Sequence, residues 1–503
     1  MVSCFNDNAT PKSNKARSIH NNMAEKSLGT NAIFNVIYKG LNVLFPLVTM
    51  MYVSRVLLPE GVGKVAAAQN IIAYFVIIAS LGLPTYGVKK IAEFRDDRKK
   101  CSKVFTELFI INAISTFLCS AVYLLMLFSV DFFQPKIAIL LVVGIQLFAN
   151  IINIDWLYQG YEEYRYIMFR SLIVKLIALV SVFIFVHNSC DYIIYALITV
   201  LSLVANFIFN IAHMHKFVDF SLKDINIKEH LNPILTLLAA SIAIEIYTLV
   251  ATTFLSVLKG DEVVGYFTNS VKAVSITRTM IAAVCAVFLP RLNYYIGQNR
   301  MEDFNSLTIK GIKVLLTLSL PACIVIAIMA DDLVYILFGA DYGPSVLSMQ
   351  ILSVSIITVA ISNFMGYQIL VSLSKEKLVL YSTIIGAIVN VLLNIVLIGP
   401  FGHYGAAIAS VISEGIISMY QFHHVSKYIT FKKEKSKIVN IAIPSVVMIF
   451  VMISIKYYVS NYILETILVT SAGLLSYIIV AKYFHNETIN MILSKLVSKT
   501  IKQ

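Results

Sequence analysis

Apolar stretches long enough to cross a bilayer recur along the chain from about residue 30 to residue 481. A hydrocarbon core about 30 Å thick takes about 20 such residues in a helix. Of the 503 residues, 58% are hydrophobic and 14% charged, whereas a soluble domain carries about 25% charged residues. One buried core cannot absorb that excess. A soluble enzyme with a single anchor is excluded, because its composition would stay soluble-like over most of its length. The chain reads as an all-α integral membrane protein.

Charged and Pro/Gly breaks divide the chain into fourteen expected spans. They are 30–52, 65–88, 104–129, 137–157, 167–187, 191–212, 232–257, 264–289, 307–330, 344–372, 379–399, 404–424, 438–459 and 461–481. The apolar piece 333–338 is too short to span and is expected at the interface. The even-to-odd connections and both tails hold 29 of the 40 basic residues, and the opposite connections hold five. That bias predicts cytoplasmic tails and an even span count. The net charge of +12 is then explained by cytoplasmic loops and anionic lipid rather than nucleic acid. The run 89–103, with seven basic and three acidic residues, reads as one such loop. The opposite connections are short, which argues against a membrane glycosyltransferase or polymerase.

The polar stretch 1–28 is expected to be a disordered cytoplasmic tail without a signal pattern. The six cysteines, Cys4, Cys101, Cys119, Cys190, Cys285 and Cys323, show no paired spacing. Neither a disulfide framework nor a metal cluster is expected. His213, His215 and His230 read as one cytoplasmic loop, and no cofactor is implied. No P-loop sequence occurs, so ATP is not the expected energy source.

A weak internal repeat is visible. Val56-Leu57-Leu58-Pro59-Glu60-Gly61-Val62-Gly63 and Val257-Leu258-Lys259-Gly260-Asp261-Glu262-Val263-Val264-Gly265 lie about 202 residues apart. Each reads as a hydrophobic exit, a turn with an acid, then a glycine opening the next helix. An even number of spans separates them, so the halves share an orientation. The expected architecture is two parallel six-helix lobes, 29–215 and 232–424, joined by 216–231. Spans 438–481 and a cytoplasmic tail 482–503 follow. Such bundles place a site between the lobes, reached by rocking.

Polar groups inside spans are costly and face an interior or a watery cavity. Span one carries Asn31, Asn35, Lys39, Asn42, Pro46 and Thr49 on one helical face. That face either lines a central cavity or packs against neighbouring helices, and cavity lining is the favoured reading. Span seven carries Ser241, Glu245, Thr248 and Thr252, and span eight Lys272, Ser275, Arg278 and Thr279. Lys175 and Glu414 lie within spans five and twelve. The mid-membrane balance is cationic: Lys39, Lys175, Lys272 and Arg278 against Glu245 and Glu414. Excess cations call for an anionic partner, and a phosphate-bearing substrate is the simplest. Asn35 and Asn42 share the face of Lys39. Glu245 and Glu414 are candidates for a coupling ion or for pairing with the cations. Asp155, beside Trp156 and Tyr158, is expected to anchor the chain at the interface.

The segments Gly29-Thr30-Asn31 to Tyr38-Lys39 and Tyr52 to Gly63 resemble the opening of the polysaccharide biosynthesis flippases, within the multidrug/oligosaccharidyl-lipid/polysaccharide superfamily. Leu81-Gly82-Leu83-Pro84-Thr85-Tyr86-Gly87 is similar to that family's second-helix exit, and Gly402-His403-Tyr404-Gly405 to its twelfth-span entry. The family usually has glycine where this chain has Leu58. The resemblance covers about residues 24–485. It implies fourteen spans and a carrier that moves an undecaprenyl-pyrophosphate-linked oligosaccharide repeat unit to the outer leaflet. It also implies a cationic cavity at Lys39, Lys272 and Arg278, with Lys175 as a further member. Implied partners are that lipid, membrane lipid, H+ or Na+, and other polysaccharide-assembly membrane proteins, in a bacterial cytoplasmic membrane. Alternatives are a cation-coupled multidrug exporter, a teichoic-acid or peptidoglycan precursor flippase, and a membrane polymerase.

Overall fold

The computed structural model describes residues 11–223, 225–429, 435–459, 461–491 and 494. Among them every regular element is helical. Ten helical stretches are long and apolar enough to cross a membrane.

The first helix, α1, runs Pro11–Ser80 and is broken at Leu58. The break is one residue wide, where the sequence suggested a longer turn. Leu58 takes φ 60° and ψ 175°, and Pro59 opens the second arm, where its missing N–H leaves no bond unmade. Residues 11–28, expected as a disordered tail, continue this helix; their Lys, Ala, Arg and Glu are good helix formers. After Leu81 and Gly82, both at positive φ, α2 (Leu83–Phe94) begins with Leu-Pro. Next come α3 (Arg98–Ser129), α4 (Ile137–Ala149), α5 (Asp155–Gly160), α6 (Tyr164–Phe185) and α7 (Tyr192–His213). Asp97 caps α3 by accepting from the backbone N–H groups of Lys99 and Lys100. Those N–H groups, chiefly that of Lys100, hold its carboxyl below the ordinary aspartate value.

The pattern then recurs. Helix α8 (Lys228–Leu258) ends at Lys259 and Gly260, and α9 (Asp261–Ala286) follows. Gly260 takes φ 86° and ψ 177°, nearly the conformation of Leu58 at the matching position. Like α2, α10 (Leu289–Gly297) opens with Leu-Pro. Helix α11 is Met301–Ile328 and α12 is Ala330–Phe338. The expected span 344–372 is divided into α13 (Ser345–Ser353), α14 (Ser355–Asn363) and a π-helical turn Phe364–Leu370. Helices α15 (Glu376–Phe401), α16 (His403–Val425), α17 (Lys435–Lys456) and α18 (Tyr462–Tyr483) complete the chain.

Leu58 is strained where Gly260 is not. This region of backbone space is essentially a glycine region and costs a side-chain residue about 1–3 kcal/mol. Leu58→Gly removes that strain at a chain-entropy cost of about 0.5–1 kcal/mol. A rise in the thermal unfolding midpoint of the detergent-solubilised protein is the expected result; a fall would show that the Leu58 side chain contributes more than its backbone costs.

Three packing features differ from expectation. Asp155, expected as an interfacial anchor, has protein partners: its carboxylate accepts from Arg170 at 3.1 Å and from Asn210 at 2.5 Å. Trp156 and Tyr158 are buried, because Gly87 leaves room for the indole, which a Cβ there would meet at 2.6 Å. His230 is not in a loop. It lies in the first turn of α8 and is buried. Its ring bonds Glu107 on α3 and Tyr86 on α2, each at 2.9 Å. At the opposite end of the molecule, α12 rests on Lys456, whose ammonium reaches Asp331 at 2.5 Å and Asp332 at 3.2 Å. Burial pushes the Asp332 carboxyl up against the pull of that lysine.

Candidate functional site

The central contact is between the two arms of α1 and helix α9. Each lies beside a one-residue break, and the two elements touch reciprocally. Gly63 sits against the Asp261 carbonyl, where a Cβ would fall 1.6 Å from the oxygen. Gly265 sits against the Pro59 carbonyl, where a Cβ would fall 2.1 Å from it. Both partners are 202 positions apart, as the repeat requires. Polar bonds reinforce this end. Lys136 meets Asp261 at 2.5 Å. Arg55 donates to the Ile336 carbonyl at 2.6 Å. Asn70 donates to Thr253 at 2.7 Å, and the Tyr74 hydroxyl lies 2.9 Å from the same oxygen.

Below this seal two connected chambers open between α1 and α9. The one nearer the seal is the smaller and is lined in part by Ser54, Gln69, Tyr195, Asn269 and Lys272. The farther one has a volume of about 120 Å³ and is lined by Pro46, Leu47, Met50, Lys272, Ser275, Ile276 and Thr279. Met50 and Lys272 belong to both walls. Among the described residues Lys272 is the one charged residue lining either chamber. Pro46 contributes no N–H at the mouth of the farther chamber, and Thr49 turns its hydroxyl back to the Phe45 carbonyl at 2.9 Å.

The candidate residues separate. Lys272 stands in the cavity with Ser275 and Thr279. Arg278 turns away and donates to the Ser355 hydroxyl on α14. Helical geometry explains this: at about 100° per residue, a six-residue step leaves Arg278 about 120° round the helix from Lys272. Lys175 on α6 and Glu414 on α16 are half-buried, and Glu245 on α8 is bonded by Thr248 at 3.1 Å. None of these three is in the lining of either chamber. The side chains of Asn35, Lys39 and Asn42 lie outside the described residues. Sequence reasoning missed Ser54, Gln69, Tyr195 and Asn269. Asn269 is one turn before Lys272, so the polar face of α9 extends one step further than the motif suggested. Among the described residues no cluster of three or more His, Cys, Asp or Glu is arranged to hold a metal.

A polar cavity with one cation among the described residues, set between two broken helices in an otherwise apolar bundle, is the architecture of a membrane transporter, and the relatives are transporters rather than enzymes. The chain belongs to the polysaccharide biosynthesis protein family, whose model matches residues 28–295, within the multidrug/oligosaccharidyl-lipid/polysaccharide superfamily. The MatE model also matches, over residues 237–396. A provisionally named O-antigen transporter of Escherichia coli (strain K12) is 24% identical over 403 residues, 79% of this chain and 96% of that protein. The capsular polysaccharide biosynthesis protein CapF of Staphylococcus aureus is 24% identical over 400 residues, 76% of this chain and 96% of that protein. Among solved structures, the lipid II flippase MurJ in an inward closed conformation aligns with a TM-score of 0.70 at 16% identity, over 91% of this chain and 100% of that chain. An inward-facing MATE multidrug resistance transporter aligns with a TM-score of 0.62 at 16% identity, over 78% and 98%. These likenesses concern the fold.

Proposed function

We propose that this protein flips an undecaprenyl-pyrophosphate-linked oligosaccharide repeat unit from the cytoplasmic to the outer leaflet of a bacterial cytoplasmic membrane, by alternating access. The observation that carries this reading is Lys272, among the described residues the one charged residue lining a polar cavity between α1 and α9. An ammonium in a cavity set within the membrane favours an anion and disfavours the cationic drugs of an exporter. The names of the relatives support a glycan-lipid cargo.

In this reading fourteen spans form two six-helix lobes, 29–215 and 232–424, with two further spans behind them. The matched breaks at Leu58 and Gly260 and the Gly63/Gly265 crossing support a two-fold relation between the lobes. The basic-residue bias puts both termini in the cytoplasm and the crossing on the outer side. The described conformation is then sealed outside, with the cavity facing the cytoplasm. The diphosphate enters beside Lys272, with Lys39 on the facing arm of α1 and Arg278 as further cations. The lipid tail stays in the bilayer. Rocking of the lobes separates the crossing and opens the headgroup to the outside. Glu245 or Glu414 carries the coupling ion.

Depletion of this protein is the test. Complete lipid-linked repeat units are expected to accumulate on the cytoplasmic leaflet, shielded from a sugar-oxidising reagent added outside intact cells. Units that reach the outer leaflet but stay unpolymerised would overturn the reading in favour of a polymerase.

A further inference from the structure

Helix α12 is held at both ends by cations from distant parts of the chain. At its first turn the Lys456 ammonium of α17 reaches Asp331 at 2.5 Å and Asp332 at 3.2 Å. The same ammonium donates to the Ile328 carbonyl at 2.9 Å, where α11 ends. Acids at a helix start and a cation at a helix end both suit the helix dipole, so one lysine fixes the joint between α11 and α12. Asp332 is buried, and so is Glu465 of α18, 3.9 Å from the ammonium. Further along α12, Tyr335 stacks on Tyr462 of α18 with ring centroids 4.3 Å apart.

The other end of α12 meets α1. The last four carbonyls of a helix have no partner within it. Arg55 supplies one, donating to the Ile336 carbonyl at 2.6 Å and more weakly to the Tyr335 carbonyl at 3.5 Å. Gly339 ends α12 at φ 100°, and its missing side chain leaves Arg55 room: a Cβ there would fall 3.3 Å from the Arg55 Cγ. Arg55 lies just before the break at Leu58. The contact therefore ties the first arm of α1 to the second half of the chain beside the seal.

The two ends of α12 are not equivalent. Removing Lys456 would leave the buried Asp332 charge uncompensated, which is costly, so that end stays made. Arg55 is exposed. When it lets go, water replaces the bond on both partners and the net cost is small. One end is an anchor and the other a release catch.

We propose that α12 is a strap across the outer side of the seal: α17 and α18 hold it in place, and Arg55 engages its free end when the seal is closed and releases it when the seal opens. The inference rests on the alternating-access reading and gives the two helices beyond the repeat a task within it. Arg55 is a positioning residue here, acting on the seal through α12.

The test uses the full-length protein in intact cells, with the exposed Cys190 replaced by serine and Val62→Cys as the reporter. Val62 is buried and lines the chamber nearer the seal. A membrane-impermeant maleimide is added outside. Arg55→Gln is expected to raise the labelling rate about fivefold, as for one exposed hydrogen bond to a charged group. Lys456→Gln is expected to raise it to a similar extent from the opposite end of α12. The double variant should add less than about twofold beyond either, because both act on one contact. Because Lys456→Gln leaves Asp332 without its cation, Asp331→Asn is measured beside it; Asp331 is exposed, and a rise of about twofold is expected. Lys64→Gln is the control, since its partner Glu60 lies one turn away on the same helix at 2.7 Å, and labelling should not change. No gain in Arg55→Gln would overturn the strap and leave the flippase reading standing. A gain in Arg55→Gln with none in Lys456→Gln or Asp331→Asn would also overturn it, since Arg55 would then act without the anchor. Rapid labelling from outside in the parent would overturn the sealed-outside reading and the strap with it.

Discussion

Lys272→Gln is expected to reduce surface polysaccharide by at least about tenfold, with normal protein abundance and membrane insertion. Hydrogen bonds to a charged partner contribute about 1.5–3 kcal/mol, or about 10- to 150-fold in affinity. Here the effect should lie toward the upper end, because among the described residues no other charged residue lines either chamber. Folding should be spared, since Lys272 is exposed to the cavity. Lys272→Arg restores the charge and is expected to recover a substantial part of the output, though the wider guanidinium changes the fit. Arg278→Gln makes the sharper comparison. Its guanidinium is bonded to Ser355 between α9 and α14, so its loss should lower the thermal midpoint more than Lys272→Gln does. Wild-type polysaccharide from Lys272→Gln would remove the anion cavity from the mechanism. Equal output losses from Lys272→Gln and Arg278→Gln, with unchanged stability in both, would show that the two cations act together on the cargo.

The contrast between these residues shows what a sequence reveals and what it hides. Composition and span length lead directly to an all-helical membrane protein, because lipid leaves a chain this apolar few other options. The repeat was legible around Leu58 and Gly260, since an acid and a glycine follow both breaks. The cavity was legible as a polar face on α9, but its extent was not. Lys272 and Arg278 look equivalent as buried cations until the helical angle between them is counted. Asn269 was passed over because a lone asparagine in a span carries no chemical signature. His230 could not be placed because its partners, Glu107 and Tyr86, lie more than a hundred residues away, and nothing local draws it into a helix. The partners of Asp155 were hidden for the same reason: Arg170 and Asn210 lie 15 and 55 residues further along the chain. Local periodicity reports which face is polar; it does not report what that face meets.

The reciprocal glycines yield the other large effect. Gly63→Ala and Gly265→Ala each add one methyl group to a contact already at backbone distance. The new carbon would fall 1.6 Å from the Asp261 oxygen in the first and 2.1 Å from the Pro59 oxygen in the second. Backbone carbonyls cannot swing aside as side chains do, so the helices must separate by more than about 1 Å, and overpacking of this kind costs about 1–3 kcal/mol. A shift in that direction lengthens the Lys136–Asp261 contact and weakens the seal. If sealing and opening alternate during transport, both variants should lose most of their polysaccharide output while still inserting. Gly297→Ala is the control, since nothing lies within 4 Å of the added carbon, and its output should be unchanged. The seal can be read directly with Ser54→Cys, buried in wild type, after replacing the exposed Cys190 by serine. A membrane-impermeant maleimide added outside intact cells should label Cys at position 54 faster in the Gly63→Ala background than in the parent. Normal transport with no gain in labelling would mean that the crossing yields without cost, and that the lobes are not sealed by the meeting of Gly63 and Gly265.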